Sequence, residues 1–257
     1  MRPHRLFPSL TRFVVGLGVV MTLATGAWAQ SFNDAQKLEM ENIIREYLLK
    51  NPEILRDAFG ELERRERVAK EEEARKGIVE NKEILYNSKL SYVAGNKDGD
   101  VAMVEFFDYN CGFCKRAFGD VLAIMESDKN LKVVVKEFPI LGEGSMFASR
   151  AAIASKAQNK YWEFHVALMQ ARGALDQAKV LEIAAGIGLD LAKLQQDMKA
   201  PNVEAEIKET YELASKLGVN GTPAFVIDNT LIPGAMGLPA LQQQVATVRE
   251  SGGCQVC

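Results

Sequence analysis

The sequence predicts an α/β protein: a sheet-and-helix domain interrupted by a helical block and preceded by a helical stalk. Three observations carry this. An apolar, β-branched run from Val101 to Tyr109 ends abruptly at Cys111-Gly112-Phe113-Cys114, and helical spacing follows at once. Strand and helix patterns alternate on both sides of residues 145–217, where only helical periodicity is found. Residues 31–85 carry a narrow apolar stripe and then almost continuous charge.

The chain has 257 residues, 47% hydrophobic and 25% charged, as in ordinary globular proteins. Its net charge is −3, and no basic tract follows the first segment, so nucleic acid and anionic membranes are poor partners. Arg2, His4, Arg5 and Arg12 precede the short apolar stretch Phe13 to Thr25, and Ala27-Trp28-Ala29 is a small-x-small cleavage site. Residues 1–29 are therefore expected to be a cleaved signal peptide, with a retained membrane anchor as the alternative. The bacterial style of the signal points to a periplasm, an oxidising compartment that favours disulfide chemistry.

Ser31 with Asp34 resembles a capping box, and Met40, Ile43, Ile44, Tyr47 and Leu48 follow on one helical face. Asn51-Pro52-Glu53 restarts a helix, with Leu55, Ala58, Phe59 and Leu62 as its stripe. Residues 30–85 are too few to fold alone. Their stripe needs a second copy of the chain or the main domain, and self-association into a homo-oligomer is favoured. Gly77 is the expected flexible point between stalk and body.

The body is expected over residues 86–251. Leu90 to Ala94 and Val101 to Tyr109 read as strands, Cys111 to Glu126 as a helix, and Leu131 to Phe138 as a third strand. A β–α–β order of this kind gives parallel, buried strands. Helices are expected at 145–157, 160–170, 176–185, 190–199 and 201–217, separated in several places by Gly or Pro. Ala224 to Ile227, a turn at Asp228-Asn229, a strand near Leu231 and a helix from Leu238 to Glu250 complete the domain. Residues 252–257 form a Gly-rich end carrying Cys254 and Cys257, expected to be mobile.

Strand-to-helix placement puts Cys111 at a helix N-terminus, where unpaired N–H groups and the helix dipole favour a thiolate. A second thiol at Cys114 can resolve a mixed disulfide, which is the minimum equipment for thiol–disulfide exchange. Half of a zinc site and an inert structural pair share the same spacing.

These pieces resemble the thioredoxin-like superfamily and, within it, the DsbA-like proteins. The helical block over 145–217 sits where that family inserts its helical domain, and Thr222-Pro223 resembles its cis-proline loop. Tyr47 to Glu53 resembles the oligomerising segment of the ScsC (suppressor of copper sensitivity) branch. The resemblance implies a thioredoxin-like fold, with Cys111 as the exposed attacking cysteine and Cys114 as the buried resolving one. It implies a cis Pro223 facing the pair. It also implies that Glu105 is the buried acid beneath them, although strand alternation alone leaves a solvent-facing edge residue open. Lys132 is a candidate partner for Glu105 across the sheet.

Gly112-Phe113 supplies no cation to stabilise the thiolate, which predicts a milder oxidant. With Thr222 before the proline and the expected oligomer, this leans toward an isomerase or reductase over an oxidase. Clients would be secreted proteins with thiols or disulfides, a membrane thiol reductase would keep the pair reduced, and no bound cofactor is needed. A copper-binding protein is the alternative of another class, with Cys111, Cys114, Cys254 and Cys257 as soft donors for Cu(I). Cys254 and Cys257 are otherwise a thiol relay or a plain tail disulfide. His165 is expected to line the core or a groove, and Met125, Met146 and Met169 to pack.

Overall fold

The computed structural model describes residues 32–257. The expected signal peptide, its cleavage site and Ser31 lie outside the described residues. Among those described, no helix is long and apolar enough to cross a membrane. The chain divides into two compact units after Ala58.

Helix α1 (Asp34–Lys50) opens with a capping box. The cap is Asn33 with Gln36, two residues on from the expected Ser31 and Asp34. No residue of α1 is buried, and Leu38, Ile43, Ile44, Tyr47 and Leu49 expose their apolar surface. Helix α2 (Glu53–Glu80) starts at the expected Asn-Pro-Glu. Leu55, Phe59 and Leu62 are exposed along it, whereas Ala74, Gly77 and Ile78 are buried.

Gly77 is not a hinge. It lies inside α2, and a Cβ there would stand 2.6 Å from the carbonyl oxygen of Lys216. Glycine is required because the two backbones approach too closely for any side chain. Helix α3 (Lys82–Asn87) follows, and its Leu85 and Tyr86 enter the same core region as Ile78. The last third of the expected stalk is therefore part of the body.

Strands β1 (Tyr92–Gly95), β2 (Val101–Phe107), β3 (Leu131–Glu137), β4 (Ala224–Ile227) and β5 (Thr230–Pro233) form one sheet in the order β1-β3-β2-β4-β5. β2 and β3 are parallel and linked through α4 (Gly112–Ser127); the other pairs are antiparallel. β2 is central and buried at every position. Val101, Met103 and Phe107 enter one core, and Ala102, Val104 and Phe106 enter the other. This alternation is the period of two expected for a strand covered on both faces.

The helical block comprises α5 (Glu143–Ala154), a 3₁₀ turn (Ser155–Gln158), α6 (Tyr161–Gln170), α7 (Gln177–Gly186), α8 (Leu191–Asp197) and α9 (Pro201–Leu217). Asp176 and Asp190 cap α7 and α8 through the N–H groups of Lys179 and Lys193. These bonds satisfy donors that a helix start leaves unpaired. Pro201 occupies the first turn of α9. Met169 is buried, and Met125 and Met146 pack partly buried against the same core. Helix α10 (Leu238–Glu250) closes the domain.

Candidate active site at the Cys-x-x-Cys turn

The turn after β2 is fixed by one buried carboxylate. Asp108 accepts from the backbone N–H of Asn110 (2.7 Å), Ile140 (2.8 Å) and Leu141 (2.9 Å) and from the Ser145 hydroxyl (2.7 Å). Its carbonyl accepts from the Cys111 N–H at 3.1 Å. Asn110 bridges onward to Leu175, donating to its carbonyl and accepting from its N–H. The segment before the cysteines is thereby tied to the start of the helical block and to the loop before α7.

Cys111 is the N-cap of α4, and its Sγ accepts from the Cys114 N–H at 3.4 Å. The same sulfur donates to the Thr222 carbonyl at 3.2 Å. The Thr222–Pro223 peptide bond is cis, the conformation the resemblance implies, and Pro223 is buried. Both cysteines are free thiols. Cys114 is fully buried, and burial pushes its thiol up, opposed in part by the nearby Asp108 carbonyl and Thr222. Cys111 departs from the expected open exposure: only 6% of its surface is accessible, because the Thr222 loop lies against its sulfur.

Glu105 is also fully buried, and neither carboxylate oxygen has a hydrogen-bond partner among the described residues. Burial pushes its carboxyl up to about 8. It raises the thiol of Cys114 electrostatically. The edge-residue alternative is excluded by the central place of β2. Lys132 does not pair with Glu105. In register it faces Ala102 and Gly95, and its Nζ donates to Asn87, whereas Glu105 lies between Val135 and Phe225.

Gly112 and Phe113 are exposed, Phe113 to 61%, and the Arg116 guanidinium sits 4.4 Å from the Phe113 ring centroid. Ile140, Leu141 and Met236 are further exposed apolar side chains. Asp108 holds the first two beside the turn, and the Gly234 N–H to the Pro223 carbonyl ties the Met236 loop to the proline. A groove of about 510 Å³ runs from Gly112 along Lys115 and Phe118 to Met169 and Arg172.

A second buried network was not visible in the sequence. Glu137 accepts from the hydroxyls of Tyr109 (2.9 Å), Tyr161 (2.7 Å) and Ser149 (2.7 Å). His165 Nδ1 lies 2.9 Å from the Tyr109 hydroxyl. Nε2 has no hydrogen-bond partner among the described residues and lies among the rings of Phe107, Phe118, Tyr161 and Trp162. Burial pushes His165 down to about 3 and Glu137 up to about 8. His165 is thus a neutral core residue that orients Tyr109. Buried polar side chains carry no distinguishing pattern in a single sequence, so no signal could have marked this set.

The tail is not mobile. Cys254 and Cys257 form a disulfide, and the N–H groups of Gln255 (2.8 Å) and Val256 (3.1 Å) donate to Asp228 Oδ1. Cys254 packs against one core and Val256 against the other. Cys257 Sγ lies near the Ala102 carbonyl at the start of β2, whereas Cys111 follows its end. At ~3.3 Å per residue the strand between them is about 16 Å long, so one ion cannot bind both pairs and no direct relay joins them.

A family model described as the DSBA-like thioredoxin domain matches residues 102–246. The chain belongs to this family. A model of the N-terminal domain of the copper resistance protein ScsC matches residues 36–69. Among solved structures, a thioredoxin-like oxidoreductase from Silicibacter pomeroyi is 48% identical, with 65% of this chain and 97% of that chain covered and a TM-score of 0.65. A linker-deleted variant of Proteus mirabilis ScsC is 28% identical, covering 87% of this chain and 99% of that one at a TM-score of 0.66. Among curated proteins, the Na(+)/H(+) antiporter NhaA 1 of Salinispora arenicola is 27% identical over 158 residues, which is 61% of this chain. The chain spans about a quarter (24%) of that antiporter's length.

Proposed function

We propose that the protein is an exported, periplasmic thiol–disulfide oxidoreductase that works from its reduced form, as an isomerase or reductase of secreted proteins. The observation that carries this reading is the setting of Cys111. Its sulfur caps α4, receives the Cys114 N–H and faces the cis-proline loop. The Cys111 thiolate attacks one sulfur of a client disulfide, a mixed disulfide forms, and the other client sulfur leaves as a thiolate. In a reductase cycle Cys114 loses its proton and attacks Cys111 Sγ. The client is released with both sulfurs reduced, and the protein is left with a Cys111–Cys114 disulfide. In an isomerase cycle a client thiol attacks instead, and the protein leaves reduced.

Glu105 is placed to take the Cys114 proton as that thiol attacks. A buried thiol is costly to ionise, and burial also keeps the Glu105 carboxyl protonated at neutrality, so its ionised fraction is what accepts this proton and resolution should quicken as pH rises toward about 8. The rim of Phe113, Ile140, Leu141 and Met236 offers apolar contact to an unfolded polypeptide. Gly112-Phe113 places no cation between the cysteines, which supports the milder, reducible pair. A membrane thiol reductase would return the pair to its dithiol form. Exposed side chains on α1 and α2 support self-association through residues 31–85.

Copper sequestration is a weaker reading. The segment that matches the copper resistance family contains no cysteine or histidine and only Met40 as a soft donor. Any Cu(I) would have to sit on Cys111 and Cys114, or separately on the tail.

The deciding experiment pairs the reduction potential with recovery of activity from a scrambled disulfide-bonded client. Reduced protein should restore the client, and Cys114→Ala should accumulate mixed disulfides with it. Rapid oxidation of a reduced peptide with no recovery of the scrambled client would make the protein a DsbA-like oxidase. No exchange in either direction would remove the reading.

A further inference from the structure

The tail lies beyond the residues matched by the thioredoxin family and does not take part in the exchange chemistry above. It is nevertheless built. Asp228 occupies the β4–β5 turn at φ +51, almost wholly buried, and its carbonyl accepts the Tyr86 hydroxyl. Its carboxylate accepts from the Gln255 and Val256 N–H groups, and its Oδ1 lies 3.3 Å from the disulfide sulfur of Cys254. The Cys257 N–H points at Cys254 Sγ at 3.2 Å. One oxygen of Asp228 and the two sulfurs all lie within 4.8 Å of one another.

We propose that Asp228, Cys254 and Cys257 form a redox-gated Zn²⁺ site, closed by the disulfide and opened by its reduction. A dithiol reductant delivers two electrons and two protons to the Cys254–Cys257 bond, leaving two thiols and an oxidised reductant. Zn²⁺ then replaces the two thiol protons, giving two Zn–S bonds and one Zn–O bond, with solvent as the fourth ligand. At Zn–S distances of ~2.3 Å the sulfurs stand ~3.8 Å apart, so each moves by only about 1 Å from its place in the disulfide. The backbone N–H on Cys254 Sγ stabilises a thiolate there, and the exposed side of Cys257 leaves room for solvent.

The donor set selects the ion. Two thiolates and a carboxylate suit a borderline cation that accepts both sulfur and oxygen. A purely thiophilic ion such as Cu(I) would use the sulfurs and leave Asp228 out. Oxidation re-forms the disulfide and expels the metal, so occupancy reports the redox state of the compartment. The site lies a strand's length from Cys111 and is independent of the exchange reaction.

The test uses the full mature chain carrying Cys111→Ser and Cys114→Ser, so that only the tail offers thiols. Zn²⁺ affinity is measured by chelator competition on the disulfide form and after phosphine reduction. Co²⁺ serves as a spectroscopic probe of thiolate ligation. The expected result is one Zn²⁺ per reduced chain, none per oxidised chain, and a thiolate-to-Co²⁺ band that vanishes in Cys254→Ser and in Cys257→Ser. Asp228→Asn keeps an acceptor for Gln255 and Val256 and should weaken Zn²⁺ at least tenfold while leaving Cu(I) affinity unchanged. Reduced protein that binds no more Zn²⁺ than the tail-cysteine variants would overturn the proposal. So would Asp228→Asn binding as tightly as its parent with a circular dichroism spectrum intact. Because the test variant lacks Cys111 and Cys114, neither failure bears on the exchange reading.

Discussion

Glu105 gives the sharpest test of how burial shapes the site. Its carboxyl lies inside the protein with both oxygens unpartnered, and burial holds it at about 8 against an ordinary 4.5. The folded chain therefore binds this proton more tightly than the unfolded chain. Below the ordinary value both states carry the proton. Between 4.5 and about 8 only the folded state does, so stability falls as pH rises through that window. Above about 8 the loss is complete. The full interval corresponds to at most ~5 kcal/mol, and relaxation with water penetration reduces this to ~2–3 kcal/mol. Glu105→Gln keeps the shape and cannot ionise. Urea unfolding of the reduced protein should give nearly equal stabilities at about pH 4.5 and a variant ~2–3 kcal/mol more stable at about pH 8.5. Glu137 is also pushed up to about 8, but it is present in both proteins, so the difference isolates Glu105. Cys114 is the titratable neighbour, and repeating the pair in a Cys114→Ala background removes its influence. A stability difference that stays flat across this range would refute the argument that burial alone sets the charge of Glu105. The exchange rate should separate from stability: if Glu105 accepts the Cys114 proton, the variant is more stable above neutrality and slower to resolve mixed disulfides.

Three further outcomes follow from the contacts. Asp108→Ala strands the N–H groups of Ile140, Leu141 and Asn110 and the Ser145 hydroxyl, and should cost ~3–5 kcal/mol in denaturant unfolding. Gly77→Val drives a Cβ into the Lys216 carbonyl, and should lower stability by ~1–3 kcal/mol, read as a fall of several degrees in Tm. Ile43→Asp with Phe59→Asp places charge on the exposed stripe. Light scattering should find a smaller assembly than the parent, while exchange with a small disulfide at Cys111 is unchanged.

The domain was legible because its strands and caps obey local rules. β4, α9 and α10 fall on the expected residues, and Asp176 and Asp190 cap the helices they precede. The Cys-x-x-Cys turn was legible for the same reason: an apolar run that stops at a helix start needs only nearest neighbours to be recognised. Gly77 misled, because an isolated glycine in a charged helix has the same pattern whether it is a hinge or a point of backbone contact. Lys132 misled because the pairing depends on the register between β2 and β3, which sets Lys132 opposite Ala102 and Val135 opposite Glu105, and residue spacing within one strand does not reveal it. The network of Tyr109, Glu137, Ser149, Tyr161 and His165 was invisible, since it draws on β3, α5, α6 and the segment after β2.

The two Cys-x-x-Cys pairs show why spacing alone does not assign chemistry. Both bring two sulfurs to within bonding reach, and both place a backbone N–H on the first sulfur. They differ in what lies on either side. The first begins a helix, so the dipole favours negative charge on Cys111, and its second thiol is buried beside an unpartnered carboxyl. The second follows the end of α10, where the dipole opposes negative charge, and a carboxylate lies against it. An anion stabilised only by a helix start remains reactive toward a disulfide. A thiolate pair beside a carboxylate gathers negative charge that only a cation or a covalent S–S bond can relieve. Exchange at one end of β2 and closure or metal binding at the other follow from that electrostatic difference, with the same four-residue spacing at both.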